Sequence, residues 1–235
     1  MSIPAPLIDR VVAGAAPVLC VDTCTLLDVV RDITRDSARA ADAAAGVQLL
    51  ATAEGRTDLV VLVAEQVQQE LLANLENVQR EADKALLRFQ AQARRMAEVA
   101  MEFGAQGVVL TGLLDGHGAR ARLVLDRWLA VGLTVPHDAE VTARAFARVN
   151  EPRTPARRGK ESMKDCVIVE TYLEVGRRLR TAGLRAPIAF TSSNTNDYYA
   201  GSTHLASDLA QDFDAVAIEF APGFGAAVHA LGLRR

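Results

Sequence analysis

The chain has few of the residues that would indicate several common classes of protein. Its 235 residues include only three cysteines, at positions 20, 24 and 166, and this odd, low number does not make a disulfide framework. Cys20 and Cys24 have no second pair of ligands at the spacing of a zinc finger. Aromatic residues make up 5%, too few for a surface that stacks the bases of a single nucleic-acid strand. We therefore expect a protein of the reducing cytoplasm.

Long apolar runs and glycine-rich motifs are also missing. The longest apolar stretch, at 11–21, is too short to span a bilayer and contains Gly14 and Pro17, so no membrane partner is expected. The N-terminus lacks the features of a secretion signal, and no glycine fingerprint for a dinucleotide follows the first predicted strand. The four histidines have no triad partners at a recognisable spacing. A net charge of −3 excludes a generally basic surface but not a local basic patch.

Apolar runs that alternate with helical patterns are the main feature of the chain. The runs predict strands at about 17–22, 59–63, 133–136, 187–192 and 215–219. Helical periodicity predicts helices near 24–32, 37–54, 64–103, 119–131, 138–149, 164–182 and 202–211. This alternation predicts a single α/β domain over residues 1–235, with a central, mostly parallel sheet of about five strands.

The segment at 64–103 has no glycine and no proline, and its apolar residues recur at steps of three and four. A single straight helix of that length would be roughly 60 Å long, whereas a compact domain of this size has a radius of gyration of only roughly 17 Å. We therefore predict a helical hairpin or arm at about 64–131. It either covers the sheet as an extra layer or serves as an arm for dimerisation or partner binding.

Four acidic residues follow or open predicted elements in similar settings. Asp22 ends the first strand, Glu70 follows the second, Asp197 follows the fourth, and Asp165 opens a helix. Open α/β sheets bind ligands outside the carboxyl ends of their strands, and hard divalent cations prefer oxygen ligands. Alone, Asp22 or Asp165 suits a helix N-cap, Asp197 a turn and Glu70 a solvated helix face. Together they predict an acidic metal site.

A loop with an excess of basic residues precedes Asp165. Between 148 and 164, two acidic residues, Glu151 and Glu161, oppose six basic ones: Arg148, Arg153, Arg157, Arg158, Lys160 and Lys164. Proline and glycine residues exclude regular structure there. The loop is either a solvated linker or a segment that grips a substrate phosphate.

Four segments of the chain occur in an order typical of one family of nucleases. They are the run Val18-Leu19-Cys20-Val21-Asp22-Thr23, Glu70 on the helix after the second strand, the pair Lys164-Asp165, and the run Phe190-Thr191-Ser192-Ser193-Asn194-Thr195-Asn196-Asp197-Tyr198. In this order, over about residues 17–220, the chain resembles the PIN domain nucleases. Its length and long helical segment are similar to those of the larger bacterial type.

The resemblance implies a three-layer α/β/α fold and a metal-dependent endoribonuclease that hydrolyses RNA phosphodiester bonds. It implies that Mg²⁺ or Mn²⁺ is held by Asp22, Glu70, Asp165 and Asp197. Pocket and substrate contacts would come from Thr191, Ser192, Asn194, Lys164, Arg157, Arg158 and Lys160. Family members often carry a proline after the second strand, where this chain has Ala64-Glu65, so Glu65 is an alternative to Glu70.

Other functions remain open at this point. A DNA nuclease and a non-catalytic or regulatory nucleic-acid-binding module share the same acids. The residues do not distinguish a toxin, a defence effector and a processing enzyme. A homodimer and an inhibitory partner protein are both compatible with the resemblance.

Overall fold

Parallel strands form the centre of the molecule, as the apolar runs predict. The computed structural model describes residues 3–55, 57–107, 111–157, 162–201 and 203–233. Its strands are β1 (Val18–Val21), β2 (Val60–Ala64), β3 (Leu133–Val135), β4 (Ile188–Thr191), β5 (Tyr199–Ala200), β6 (His204–Leu205) and β7 (Ile218–Ala221). A five-stranded sheet has the order β3-β2-β1-β4-β7, with every neighbouring pair parallel, and β5 and β6 form a separate antiparallel pair.

Helices cover both faces of this sheet, so the fold is a three-layer α/β/α arrangement. They are α1 (Ala5–Gly14), α2 (Thr23–Asp28), α3 (Ala40–Glu54), α4 (Glu65–Glu102), α5 (His117–Val131), α6 (Ala139–Asn150), α7 (Met163–Thr181), α8 (Thr195–Tyr198), α9 (Ser207–Asp214) and α10 (Phe224–Ala230), with a 3-10 turn at Gly112–Leu114. Because both faces are covered, all four residues of the central strand β1 are buried apolar residues.

Each helical layer packs through identifiable contacts. α3, α5 and α10 pack against one another, and the stacked rings of Trp128 and Phe224 join α5 to α10 with centroids 5.0 Å apart. α7 packs against α1 and α6. The buried hydroxyl of Tyr172 on α7 donates to the Val21 carbonyl and accepts from the Ala64 amide, at 2.7 and 2.9 Å, and so ties α7 to β1 and β2.

The sequence patterns miss α1, α10 and the β5–β6 pair. The stretch at 11–21 reads as one apolar run, but Ala15 adopts a left-handed conformation with φ 48° and separates α1 from β1. β5 and β6 have two residues each, too few for a periodic signal.

The segment after β2 forms one unbroken helix of 38 residues, α4. It ends at Glu102, and the φ of 87° at Gly104 allows the amides of Gly104 and Ala105 to bond back to the carbonyls of Met101 and Ala100. α5 runs back alongside α4, since the Gln90 amide donates to Asp115 Oδ1 at 3.0 Å near the start of α5. α4 continues beyond that contact. No helix in the described ranges is long and apolar enough to cross a membrane.

Candidate active site

The strands β1 and β4 end side by side at a reversal of the strand order. From β1 the sheet extends through β2 on one side and through β4 on the other. Such a reversal opens a crevice outside the carboxyl ends of the two strands, where open α/β sheets bind ligands. Thr191 lies beside Val21 in the register, and the Asp22 amide donates to the Thr191 carbonyl at 3.0 Å. Asp22 and Ser192 are therefore neighbours at this crevice.

Asp22 is buried, and both of its carboxylate oxygens accept hydrogen bonds. Oδ1 accepts from the Thr23 amide at 2.7 Å, in the N-cap position of α2. Oδ2 accepts from the Ser192 hydroxyl at 2.6 Å and from the Cys24 thiol at 3.1 Å. Burial raises the pKa of Asp22, and these hydrogen bonds oppose the rise. Asp22 therefore has two roles at once: one oxygen caps α2, and the other faces Ser192 at the crevice.

Hydrogen bonds also fix the turn that follows β4 against α2. The Ser193 amide donates to Thr25 Oγ1 at 3.1 Å, and the Thr25 hydroxyl donates to the Thr191 carbonyl at 3.3 Å. The Asn194 amide donates to Ser192 Oγ at 3.2 Å. The predicted pocket residues Thr191, Ser192 and Asn194 consequently lie around Asp22.

Glu70, rather than Glu65, faces the helix that Asp22 caps. Glu70 Oε2 accepts from the Thr23 hydroxyl at 3.0 Å, and Oε1 accepts from Gln66 at 3.1 Å. Burial, with a contribution from the negative charge of Asp22, raises the pKa of Glu70. Glu65 instead lies 3.7 Å from His137, which follows β3. Thr23 is thus a bridge between the two carboxylates, which sequence reasoning did not single out.

Asp197 and Asp165 border the same crevice from the other side. Asp197 is buried in α8 and accepts a hydrogen bond from the Asn194 side chain. Asp165 lies in the first turn of α7. The pKa of the neighbouring Tyr198 hydroxyl is raised well above its usual value by burial and by the negative charges of Asp22, Asp165 and Asp197. The pKa of this one buried hydroxyl is therefore affected by three of the four predicted acids.

Two buried hydroxyls at the crevice lack a standard hydrogen bond. The Tyr198 hydroxyl lies near enough to Asp22 to lower its pKa, but it makes no hydrogen bond of standard length and angle with a described residue, and neither does Thr191 Oγ1. An unmade hydrogen bond in a buried site costs about 1–3 kcal/mol. Such groups indicate a place where water or a ligand completes the bonding.

The donor chemistry of the crevice suits a hard cation, since its acids supply oxygen ligands and the negative charge of Asp22 contributes to the raised pKa of Glu70. The arrangement itself is looser than a closed coordination shell. Within the described part of the chain, no three His, Cys, Asp or Glu side chains are grouped so that they could hold a metal ion. The four acids are thus placed around one crevice without converging on one point.

The predicted basic residues have different surroundings. Lys164 is exposed in the first turn of α7, and its charge opposes the rise in the pKa of Glu70. Arg157 donates to the backbone carbonyl of Asn196, next to Asp197. Arg158 and Lys160 lie outside the described residues. Lys164 and Arg157 are therefore exposed basic groups that lie near the acids among the described residues.

Much of the remaining charge of the basic loop is neutralised internally. Arg148 is 4% exposed and contacts Glu170 Oε1 at 2.6 Å and Asp212 Oδ2 at 2.7 Å, while it also donates to the Thr154 carbonyl at 2.7 Å. Arg153 pairs with the other oxygen of Asp212 at 2.8 Å. These contacts anchor the loop to α7 and α9. The one available signal in the sequence was a glutamate, Glu170, within an apolar stretch.

Comparisons with protein-family models, with curated proteins and with solved structures find no match for this chain. A functional assignment therefore depends on the residues of the crevice and their geometry.

Proposed function

We propose that the protein is a metal-dependent nuclease that hydrolyses RNA phosphodiester bonds in the crevice between β1 and β4. The observation that carries the proposal is Asp22, a buried carboxylate at the reversal of strand order, with Glu70 on one side and Asp197 on the other. A buried carboxylate is unfavourable unless it is paired or used, and the described hydrogen-bond donors to Asp22 are all uncharged: the Thr23 amide, the Ser192 hydroxyl and the Cys24 thiol. The resemblance to PIN domain nucleases supports the same assignment.

In this proposal Asp22, Glu70, Asp165 and Asp197 hold Mg²⁺ or Mn²⁺. When bound, such an ion lowers the pKa of a water molecule and neutralises charge on the phosphate. The chain's own groups fix the carboxylates: Ser192 and Thr23 orient Asp22, Gln66 and Thr23 orient Glu70, and Asn194 orients Asp197. Lys164 supplies an exposed positive charge for a substrate phosphate. The reducing cytoplasm, where free cysteines persist, is the compartment we propose.

A non-catalytic nucleic-acid-binding module is the second candidate. It is favoured by the spacing of the acids, because no three of the described metal-binding side chains are grouped to hold an ion. A binding module would hold RNA or DNA with the same basic groups but without metal-dependent turnover.

A cleavage assay with matched glutamate variants tests the proposal. Labelled single-stranded RNA is incubated with wild-type protein in Mn²⁺, Mg²⁺ or EDTA, beside Glu70→Gln and Glu65→Gln. Both variants lose one carboxylate from the first two turns of α4, but only Glu70 faces Thr23. We expect metal-dependent cleavage that falls at least about tenfold in Glu70→Gln, which corresponds to ~1.4 kcal/mol, and is unchanged in Glu65→Gln.

Three other results would count against this function. An equal loss of cleavage in both variants would mean that any change at the start of α4 impairs the protein, and that Glu70 has no specific role in the crevice. RNA binding without cleavage in either metal would favour the binding module. Preferential cleavage of a matched single-stranded DNA would move the substrate from RNA to DNA.

A further inference from the structure

The distal part of α4 carries a row of exposed apolar side chains that no described residue covers. Phe89 is 45% exposed, Met96 62%, Val99 53% and Phe103, directly after the helix, 87%. We call these four residues the distal apolar stripe. Exposed contiguous apolar surface of this kind marks contact sites on soluble proteins.

The spacing of the distal apolar stripe is that of a helix–helix seam. Together with the exposed Gln92, the stripe occupies positions 89, 92, 96, 99 and 103, at alternating steps of three and four. This is the heptad pattern by which two helices pack side by side. This stripe is separate from the inner face of α4, where Leu86 and Gln90 are buried and Gln90 holds the start of α5. The stripe thus faces outward while α4 is already held by its inner face.

We propose that two copies of this chain pair through the distal apolar stripe in an antiparallel orientation. In that orientation each layer combines a larger side chain with a smaller one. Phe103 lies opposite Ala85 of the partner subunit, and Phe89 lies opposite Val99 of the partner subunit. Met96 lies opposite Gln92 of the partner subunit, so that the three layers repeat symmetrically on both sides of the pair.

Charge along one edge of the stripe favours the same orientation. Arg88, Arg95 and Glu102 succeed one another at steps of seven and therefore share that edge. Antiparallel pairing brings Arg88 close to Glu102 of the partner subunit, twice by symmetry, while Arg95 meets its own copy and opposes pairing. The interface is short, so we expect a reversible dimer with a micromolar dissociation constant rather than a permanent one.

This inference is independent of the proposed nuclease function, and its test uses the oligomeric state of the full chain. Sedimentation velocity over a range from low micromolar to near-millimolar protein should show a monomer–dimer equilibrium. Met96→Glu should weaken association at least tenfold. Leu72→Glu is the control, because Leu72 is 75% exposed on the same helix but off the stripe, and it should leave association unchanged. Far-UV circular dichroism checks that each variant keeps its fold.

Charge exchange and crosslinking test the orientation. Arg88→Glu and Glu102→Arg should each weaken the dimer, and the double variant should restore it. Arg95→Cys should form an intermolecular disulfide, whereas Glu102→Cys should not, with the wild-type chain as the blank for its own cysteines. A chain that stays monomeric at every concentration, or a dimer unaffected by Met96→Glu, would overturn the proposal. A monomer that associates only with a different protein would assign the stripe to that partner instead.

Discussion

The Ser192 hydroxyl donates a 2.6 Å hydrogen bond to Asp22 Oδ2, although the two residues are 170 positions apart in the chain. The bond joins the first residues after β1 and β4, the two strands between which the order of the sheet reverses. It stabilises the ionised form of a carboxylate whose burial favours the protonated form. Burial and hydrogen bonding therefore act in opposite directions on the pKa of Asp22, and each effect can be tested by substitution.

Asp22→Asn should stabilise the protein at neutral pH in the absence of divalent cations. Burial raises the pKa of Asp22 in the folded state above its unfolded value, so the folded state retains this proton to a higher pH. Stability from this group is therefore present at low pH and lost as pH rises through the folded pKa. The asparagine avoids that loss. We expect a higher melting temperature at pH 7.5, each 1 kcal/mol giving about 2–4 °C for a chain of this size.

The comparison across pH distinguishes this cause from a general packing effect. The advantage of Asp22→Asn should shrink as pH falls toward the unfolded pKa, since Asp22 is then protonated in both states. Scanning calorimetry in EDTA at several pH values measures it. An advantage that is the same at every pH would show that charge burial is not its origin.

Ser192→Ala should move the acidic limb of the proposed cleavage reaction to higher pH. Removing the hydroxyl removes a hydrogen bond that lowers the pKa of Asp22, so the carboxylate requires a higher pH to ionise. At alkaline pH the variant should approach the wild-type rate. The measurement is initial cleavage rate against pH in Mn²⁺, with Ser193→Ala as the neighbouring control. An unchanged limb in Ser192→Ala would mean that Asp22 does not set it.

The sequence predicts this edge of the sheet because its signals are local. Apolar runs locate the five strands, and in a parallel sheet the residues after them meet at one edge, so the sequence predicts that Asp22 and Asp197 lie near each other. Contacts made across long separations carry no such signal. Arg148 reads as part of a solvated basic loop, but its partners are Glu170, 22 residues away, and Asp212, 64 residues away. Only folding shows that it is buried.

Arg148→Met should destabilise the protein strongly, whereas Arg153→Gln should not. Both arginines pair with Asp212, but Arg148 is buried with Glu170, and Arg153 is about half exposed. Breaking a buried ion pair costs about 3–5 kcal/mol when no other partner remains, and because Glu170 keeps Arg144 and Asp212 keeps Arg153, we expect a loss near the lower end of that range. An exposed pair contributes about 0–1 kcal/mol. Urea unfolding of both variants measures the difference, and equal losses would contradict the internal role of Arg148.

Tyr172 and Tyr198 are both fully buried near the carboxyl edge of the sheet, but their hydroxyls differ in hydrogen bonding. The Tyr172 hydroxyl bonds to the Val21 carbonyl and the Ala64 amide, whereas the Tyr198 hydroxyl has no standard partner among the described residues. Tyr172→Phe should leave buried backbone groups unsatisfied and lower the free energy of unfolding by about 1–3 kcal/mol. In Tyr198→Phe the neighbouring Asp22 keeps its hydrogen bonds from Thr23 and Ser192, so the free energy of unfolding should stay within about 0.5 kcal/mol of the wild type.

The two variants should rank in the opposite order for cleavage activity, with the larger loss in Tyr198→Phe. Because the Tyr198 hydroxyl lies near Asp22 and makes no standard hydrogen bond with a described residue, a ligand or water in the crevice can complete its bonding. Tyr198→Phe should therefore reduce metal-dependent cleavage several-fold while its stability is kept. Tyr172→Phe should retain the wild-type rate at temperatures where it is folded. A Tyr198→Phe variant that is fully active yet clearly destabilised would identify this hydroxyl as a structural group, whose bonding belongs to the core rather than to the site.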